Sequence, residues 1–174
     1  MKSLKKVIFI TSLIAILLSI ISVIAGYTLV IPISRSEQLD SQVLVKGDTI
    51  NIFKKVDFSK GDWSVYINLS RNDFENLSPA IKKTSCLKTS DIKVLERIRN
   101  QWNFVYSGTD IATAESIIYI FKNNKLVFKS GIVLDKDRQG LQNSTYGWME
   151  ATEPGVLAET CKNFKKVYWP IIFL

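Results

Sequence analysis

The sequence predicts an α+β protein: an N-terminal transmembrane helix followed by one small domain with a mostly antiparallel sheet and two or three helices. Three observations indicate this class. A long uncharged apolar run opens the chain, short segments rich in β-branched and aromatic residues follow it, and amphipathic helical patterns interrupt those segments. The chain of 174 residues is long enough for one domain of ordinary size.

The first element is the apolar run, since residues 7–33 contain no charged side chain. About 20 helical residues, each rising about 1.5 Å, cross the hydrocarbon core of a bilayer, so this run can span it with some tilt. Residues 1–6 form a basic flank with three lysines, which the positive-inside rule keeps in the cytoplasm. We therefore expect a single-pass protein held in membrane lipid by residues 7–33, with an extracytoplasmic body that is periplasmic in a Gram-negative cell.

A cleaved signal peptide is the competing interpretation of the same run. Val23 and Ala25 occupy the positions of small residues before a cut ahead of Gly26. The run continues past that point and exceeds the roughly 7–15 residues of a signal-peptide core, which favours an anchor over a cleaved, secreted protein. Both interpretations export the body. Residues 34–41 are then a tether, and residues 42–174 form the extracytoplasmic domain.

The body begins with strand signals. Alternating apolar residues between positions 43 and 58 are broken by Gly47-Asp48 and Lys54-Lys55 and predict a strand, a turn and a second strand. The turn residues Lys60-Gly61-Asp62 precede another strand over residues 63–69, whose odd-numbered residues share one apolar face.

Helix signals come next. Ser78 and Pro79 are typical of the N-cap and first position of a helix, so a short helix is predicted from Pro79 toward Cys86. Ser90 and Asp91 open a second helix, which is amphipathic. Its apolar face consists of Leu95, Ile98 and Trp102.

The clearest local pattern is a hairpin. Residues 116–121 and 126–134 are rich in β-branched and aromatic residues, and Asn123-Asn124 between them tolerate positive φ. Both faces of the first strand are apolar, which indicates a central position in the sheet. A last helix is predicted where apolar residues recur at helical spacing before Pro170: Leu157, Cys161, Phe164 and Tyr168.

Cys86 and Cys161 are the two cysteines of the chain, and their separation excludes a CxxC redox or metal motif. In an exported protein, an even number of cysteines favours a structural disulfide. We therefore expect a bond between Cys86 and Cys161, with two separate buried thiols as the alternative.

Composition excludes several functional classes. The chain has no histidine, which removes Ser-His-Asp catalysis, Cys-His catalysis and His-ligated zinc. Beyond residue 34, 20 basic residues stand against 16 acidic ones in scattered positions, so nucleic-acid binding is not expected. No cofactor, metal or catalytic residue is predicted.

Residues 136–152 form the one long connection between strong predicted elements, and long ordered loops often bind something. This segment holds Arg138, Tyr146 and Trp148, residue types that are enriched at interface hot spots. We expect these three side chains to contact a protein partner. The alternatives are that Trp148 belongs to the core or that the segment contains another short strand.

These features favour a membrane-anchored, non-enzymatic protein-binding domain: an envelope accessory factor, an inhibitor or an immunity protein whose partner is another envelope or exported protein. The alternative is a small envelope enzyme or glycan-binding module that uses carboxylates and exposed aromatic residues. The acidic residues available for such chemistry are Asp110, Glu115, Glu150, Glu153 and Glu159.

Overall fold

A computed structural model describes residues 2–25, 28–31, 45–107, 114–169 and 171–173. Its first element, α1, is a 24-residue helix over Lys2–Ala25, about 36 Å long at 1.5 Å per residue. Within it, Leu4–Ile21 is long and apolar enough to cross a membrane, and none of that stretch is buried. Among the described residues this is the one helix of its kind, and it is compatible with a membrane anchor or a signal peptide.

Helix α1 ends at Ala25 rather than at residue 33. Leu29–Ile31 form a short strand, β1, which pairs in parallel with the C-terminal strand β11 over Ile171–Phe173. Part of the apolar run therefore belongs to a two-stranded sheet instead of the helix. The tether expected over residues 34–41 lies outside the described residues.

The described residues form nine further strands: β2 Thr49–Ile50, β3 Trp63–Asn68, β4 Cys86–Thr89, β5 Phe104–Tyr106, β6 Ile117–Lys122, β7 Lys125–Leu134, β8 Gln139–Asn143, β9 Gly147–Ala151 and β10 Lys165–Lys166. They build one sheet in the order β10-β4-β3-β6-β7-β8-β9-β5-β2, in which every neighbouring pair is antiparallel. Helices α2 over Ile92–Gln101 and α3 over Val156–Cys161 accompany the sheet. The predicted α+β class with a mostly antiparallel sheet is confirmed.

The main core lies on one face of this sheet. The odd-numbered residues of β3 and Leu69 after it point into this core, as their alternation predicted. Helix α3 packs beside α2 and places Cys161 in the same core. The predicted apolar face of α2 is also confirmed, with at most 1% exposure at Leu95, Ile98 and Trp102.

The opposite face of the sheet carries a smaller apolar cluster. Successive residues of a strand point to opposite faces, so Tyr66, Tyr119 and Phe121 lie away from the main core. Val167 and Ile172, which follow β10, pack onto this smaller cluster. The C-terminal residues are thereby held against the sheet.

The predicted hairpin is confirmed in β6 and β7. Asn123 and Asn124 form its tip with φ of 50° and 61°, values that asparagine tolerates better than most residues. Strand β6 lies between β3 and β7, and its four middle residues are buried, so its central position is also confirmed.

Two predictions in the first half of the domain are wrong. The helix expected from Pro79 toward Cys86 does not form, because residues 79–85 follow turns and irregular backbone and Cys86 begins β4. The second strand expected between positions 43 and 58 forms only as the two-residue β2, whereas the first begins at residues 43–44, which lie outside the described residues. Turns after β2 instead bury Phe53 and Phe58 in the main core.

The last helix is shorter than predicted. It ends at Cys161 instead of continuing to Pro170, because β10 leaves the helical path to pair with β4. Phe164 is buried after the helix end, but Tyr168 is 83% exposed and does not face the core.

Candidate functional site

A groove with a volume of about 580 Å³ lies between β4 and the C-terminal segment, which we define as residues 165–169 and 171–173. Ligand sites commonly have volumes of roughly 300–1,000 Å³, so this groove is of suitable size. We call it the lysine groove. The charged and aromatic residues that line it include Tyr66, Lys88, Lys165, Lys166, Tyr168 and Trp169.

The register of β3 and β4 builds the floor of the lysine groove. Tyr66 lies directly opposite Lys88, so both side chains share the sheet face that points away from the main core. The Lys88 Nζ is 4.9 Å from the centroid of the Tyr66 ring, which is a cation–π distance. This contact holds the ammonium group of the half-buried Lys88 over an aromatic floor.

Strand β10 forms one side of the groove and contributes two exposed lysines. Lys165 lies opposite Lys88 in the register of β10 with β4. Directly after β10, the Val167 N–H donates to the Cys86 carbonyl oxygen at 3.0 Å and fixes the chain against the sheet. In the part of the chain that the structure describes, no strand pairs with the other side of β10, so among these residues β10 is an edge strand.

The lysine groove has an excess of positive charge. Lys88 and Lys165 point to the groove face of the sheet, whereas Lys166, opposite Leu87, points to the other face at the exposed edge of β10. The one lining carboxylate is that of Asp91. The Asp91 carboxylate accepts a hydrogen bond from the Lys93 N–H at 2.9 Å and thereby caps the N-terminus of α2. An anionic ligand would therefore meet mainly ammonium groups.

Tyr168 and Trp169 form an exposed aromatic wall beside the lysines. Their exposed fractions are 83% and 74%, whereas the other three tryptophans are at most 8% exposed. Val167 and Ile172 on either side pack into the smaller cluster and hold the wall in place. Tyrosine and tryptophan are enriched at binding hot spots, so the wall is a candidate contact surface.

The predicted contact residues lie in a hairpin, because residues 136–152 contain β8 and β9 and not a long loop. Trp148 has no exposed surface and Tyr146 is 7% exposed, which corrects the expectation that they face solvent. Arg138 is half-buried, and its Cζ lies 4.4 Å from the Trp148 ring centroid. The indole packs against Gly140, where a Cβ would collide with it. Partner binding by this hairpin stays a prediction.

The two cysteines are buried and free, so the expected disulfide is absent from the structure. Cys86 points to the smaller cluster, whereas its neighbour Leu87 points to the main core that contains Cys161. The sheet therefore separates the two thiols. Burial raises the pKa of Cys86 to about 12 and also raises the pKa of Cys161, which is typical of unreactive structural thiols.

Two of the carboxylates considered for catalysis make local surface contacts. Glu115 accepts hydrogen bonds from the Ser70 hydroxyl at 2.8 Å and the Asn72 amide at 2.7 Å. Glu159 forms an exposed ion pair with Lys162 at 3.6 Å. Neither residue lines the lysine groove.

The other carboxylates offer no stronger candidate. Glu150 and Glu153 are exposed, and Asp110 lies outside the described residues. Burial, and then the nearby Asp73 carboxylate, raise the pKa of Asp135, but neither of these two groups lines the lysine groove. In the described ranges, no group of three or more Cys, Asp or Glu side chains is arranged to hold a metal ion.

Sequence reasoning missed the lysine groove. In the sequence, Lys165 and Lys166 resemble ordinary surface charge, and the helical spacing of Tyr168 indicates a buried face. The available signal was the Tyr168-Trp169-Pro170 run, because a residue before proline is disfavoured in a helix. That rule places Trp169 outside the helix, so the helix predicted toward Pro170 has to end before this aromatic residue.

Comparisons of this chain with protein-family models, with curated proteins and with solved structures find no match. Function is therefore inferred from the lysine groove, its charge and its place in the fold.

Proposed function

We propose that this protein is a membrane-anchored, non-enzymatic binding domain on the extracytoplasmic side of the membrane, with the lysine groove as its binding site. Its ligand is an extended acidic segment of another envelope or exported protein, which makes it an accessory factor, an inhibitor or an immunity protein. One observation carries the proposal: three lysines, two of them on the groove face of the sheet, and two exposed aromatic residues lie beside the edge of β10 that no described strand pairs with.

Charge determines which ligand fits the groove. The lysines come from two adjacent strands, β4 and β10, so an acidic chain lying along the groove faces ammonium groups from both. Exposed charges are screened over about 8 Å at physiological ionic strength, so this attraction weakens as salt is added. The half-buried Lys88 is screened less than the exposed pair on β10.

The backbone of β10 favours a protein segment over a small anion. An extended peptide can add to a sheet edge through main-chain hydrogen bonds, while side chains beside that edge provide specificity. Tyr168 and Trp169 supply apolar contact area next to this edge. A free phosphate or carboxylate would use only the ammonium groups.

The same lysines disfavour pairing between two copies of this chain. Edge-to-edge pairing of two β10 strands would bring four ammonium groups together, and charged edges are a known defence against such pairing. An acidic strand removes this repulsion, so the charge of the edge selects the partner.

Fluorescence of Trp169 can test the proposal, since the other tryptophans are buried. The full chain in nanodiscs of neutral phosphatidylcholine is titrated with a short peptide of alternating Glu and Thr, and Trp169→Phe supplies the background emission. We expect a saturable blue shift that salt weakens, and no saturable response to a matched peptide with Lys in place of Glu.

Two results would contradict this proposal. An equal response to both peptides would show that charge does not select the ligand. Saturable binding of soluble peptidoglycan fragments, without binding of the acidic peptide, would instead support the glycan-binding alternative.

A further inference from the structure

We infer that the lysine groove is held at the membrane surface, and that its partner is the acidic juxtamembrane segment of another membrane-anchored protein. This inference rests on the proposed function, because it specifies where the acidic segment must lie. It comes from the path of the chain between α1 and the groove.

The path from the membrane helix to the groove is short. Three residues separate the end of α1 at Ala25 from the start of β1 at Leu29, and the four Cα–Cα steps between these two residues span at most about 14 Å. Leu29 lies directly opposite Ile171 in β11, one strand spacing of about 4.8 Å away. The next residue, Ile172, lines the lysine groove.

A second contact ties the same region to the groove. The hydroxyls of Thr28 and Ser85 share a hydrogen bond of 2.8 Å, and Thr28 is almost completely buried. Thr28 immediately precedes β1, and Ser85 immediately precedes β4, the strand that provides Lys88. Both sides of the groove are therefore connected to the residues that leave the membrane helix.

The exposed side chains near this point suit the membrane interface. Tyr168, Trp169 and Phe173 are 83%, 74% and 62% exposed, and aromatic side chains are enriched at the level of lipid headgroups. Lysines close to a bilayer are attracted to anionic headgroups. The wall and strand β11 can thus rest on the headgroup layer while the edge of β10 remains available.

The observations favour a protein segment as the occupant of the groove over lipid headgroups. A headgroup can neutralise the lysines, but it has no backbone to pair with the edge of β10. An acidic segment that lies next to the membrane can neutralise the lysines, pair with the edge of β10 and reach a groove at the membrane surface. A partner anchored in the same bilayer delivers such a segment at high local concentration.

The position of the groove is tested with the full chain in phosphatidylcholine nanodiscs that contain headgroup-level spin-labelled lipid. We expect the spin label to quench the emission difference between the wild type and Trp169→Phe. The matched control places the reporter on the far edge of the sheet, as Lys46→Trp combined with Trp169→Phe, and should be quenched less. Equal quenching at both positions, or none at Trp169, would overturn the inference.

The partner class is tested by attaching the Glu/Thr peptide to a lipid in the same nanodisc. We expect tethering to strengthen apparent binding by about 10²–10⁴-fold over the free peptide, as for other intramolecular contacts. A long Gly/Ser insertion after Ala25 should reduce both this gain and the quenching while leaving free-peptide affinity unchanged.

Failure of the inference differs from failure of the proposed function. If the free peptide binds but tethering gives no gain, the juxtamembrane partner is wrong and the acidic ligand stands. If anionic phosphatidylserine nanodiscs abolish peptide binding while the spin label still quenches Trp169, lipid headgroups occupy the groove and the partner assignment is overturned.

Discussion

Arg138 and Trp148 show, at the scale of single residues, how a composition typical of a binding surface can serve internal packing. The sequence shows Arg, Tyr and Trp among polar residues, and solvent contact was one interpretation of that pattern. The structure packs the indole against Gly140 and beneath the guanidinium of Arg138. Burial of Trp148 and a further strand in this segment were the alternatives, and both are found. The sequence could not decide between them and solvent contact, because burial depends on the pairing of β8 with β9, which brings the indole against Gly140.

Trp148→Ala should therefore destabilise the domain by about 3–5 kcal/mol, since it empties a fully buried aromatic site. Trp169→Ala is the matched control and should stay within about 0.5 kcal/mol of the wild type, because its side chain is exposed. Urea unfolding of both variants measures the difference. A Trp148→Ala variant as stable as the wild type would contradict the burial of this ring.

The cysteines should behave as two separate buried thiols. We expect neither to react with iodoacetamide in the folded protein and both to react after unfolding without reductant, as read by mass spectrometry. A linked Cys86–Cys161 peptide pair would contradict the structure and restore the expected disulfide.

Burial of Cys86 also predicts a pH dependence of stability. Its pKa rises from 9.0 to about 12 on folding, so the unfolded state loses its proton first as the pH increases. The associated stability is complete below pH 9 and is lost as the pH rises toward 12. Melting temperatures of the wild type should therefore fall more steeply above pH 9 than those of Cys86→Ala, and parallel curves would contradict this.

At the scale of elements, α2 and the hairpin of β6 and β7 were predicted correctly because the sequence signals for each lie within the element itself. Helix α2 and the hairpin of β6 and β7 follow from an N-cap, a periodic apolar face and an Asn-Asn tip, all of which lie within the element itself. The structure of the C-terminal segment could not be predicted from such local signals, because β10 and β11 pair with strands distant in sequence. Such pairing overrode the helical spacing that placed Tyr168 on a buried face.

Asp91 joins an element to the groove, since its carboxylate both caps α2 and lines the groove. Asp91→Asn should preserve the cap, because asparagine caps helices as well as aspartate, and stability should change by less than about 0.5 kcal/mol. Removal of the negative charge should tighten binding of the acidic peptide. Asp91→Ala should tighten binding equally but cost about 1 kcal/mol of stability. Unchanged or weaker binding by Asp91→Asn would contradict the assigned ligand charge.

At the scale of the whole molecule, the orientation in the membrane is a prediction from the three N-terminal lysines. Alkaline phosphatase fused after residue 174 should be active, and a reporter that works only in the cytoplasm should be inactive at the same position. Replacing the three lysines with glutamine should reduce this bias. An active cytoplasmic reporter after residue 174 would contradict the proposed extracytoplasmic site.

The central claim is that the lysines of β10 select an acidic partner, and charge reversal tests it most directly. Affinities for the Glu/Thr and Lys/Thr peptides are measured with Lys165→Glu/Lys166→Glu and with the control Lys54→Glu/Lys55→Glu, which changes net charge equally at exposed positions outside the groove. We predict that the groove variant loses about tenfold or more in affinity for the acidic peptide, about 1.4 kcal/mol, and gains binding of the basic one, while the control changes little. Equal losses in both variants, or no loss in the groove variant, would contradict the claim.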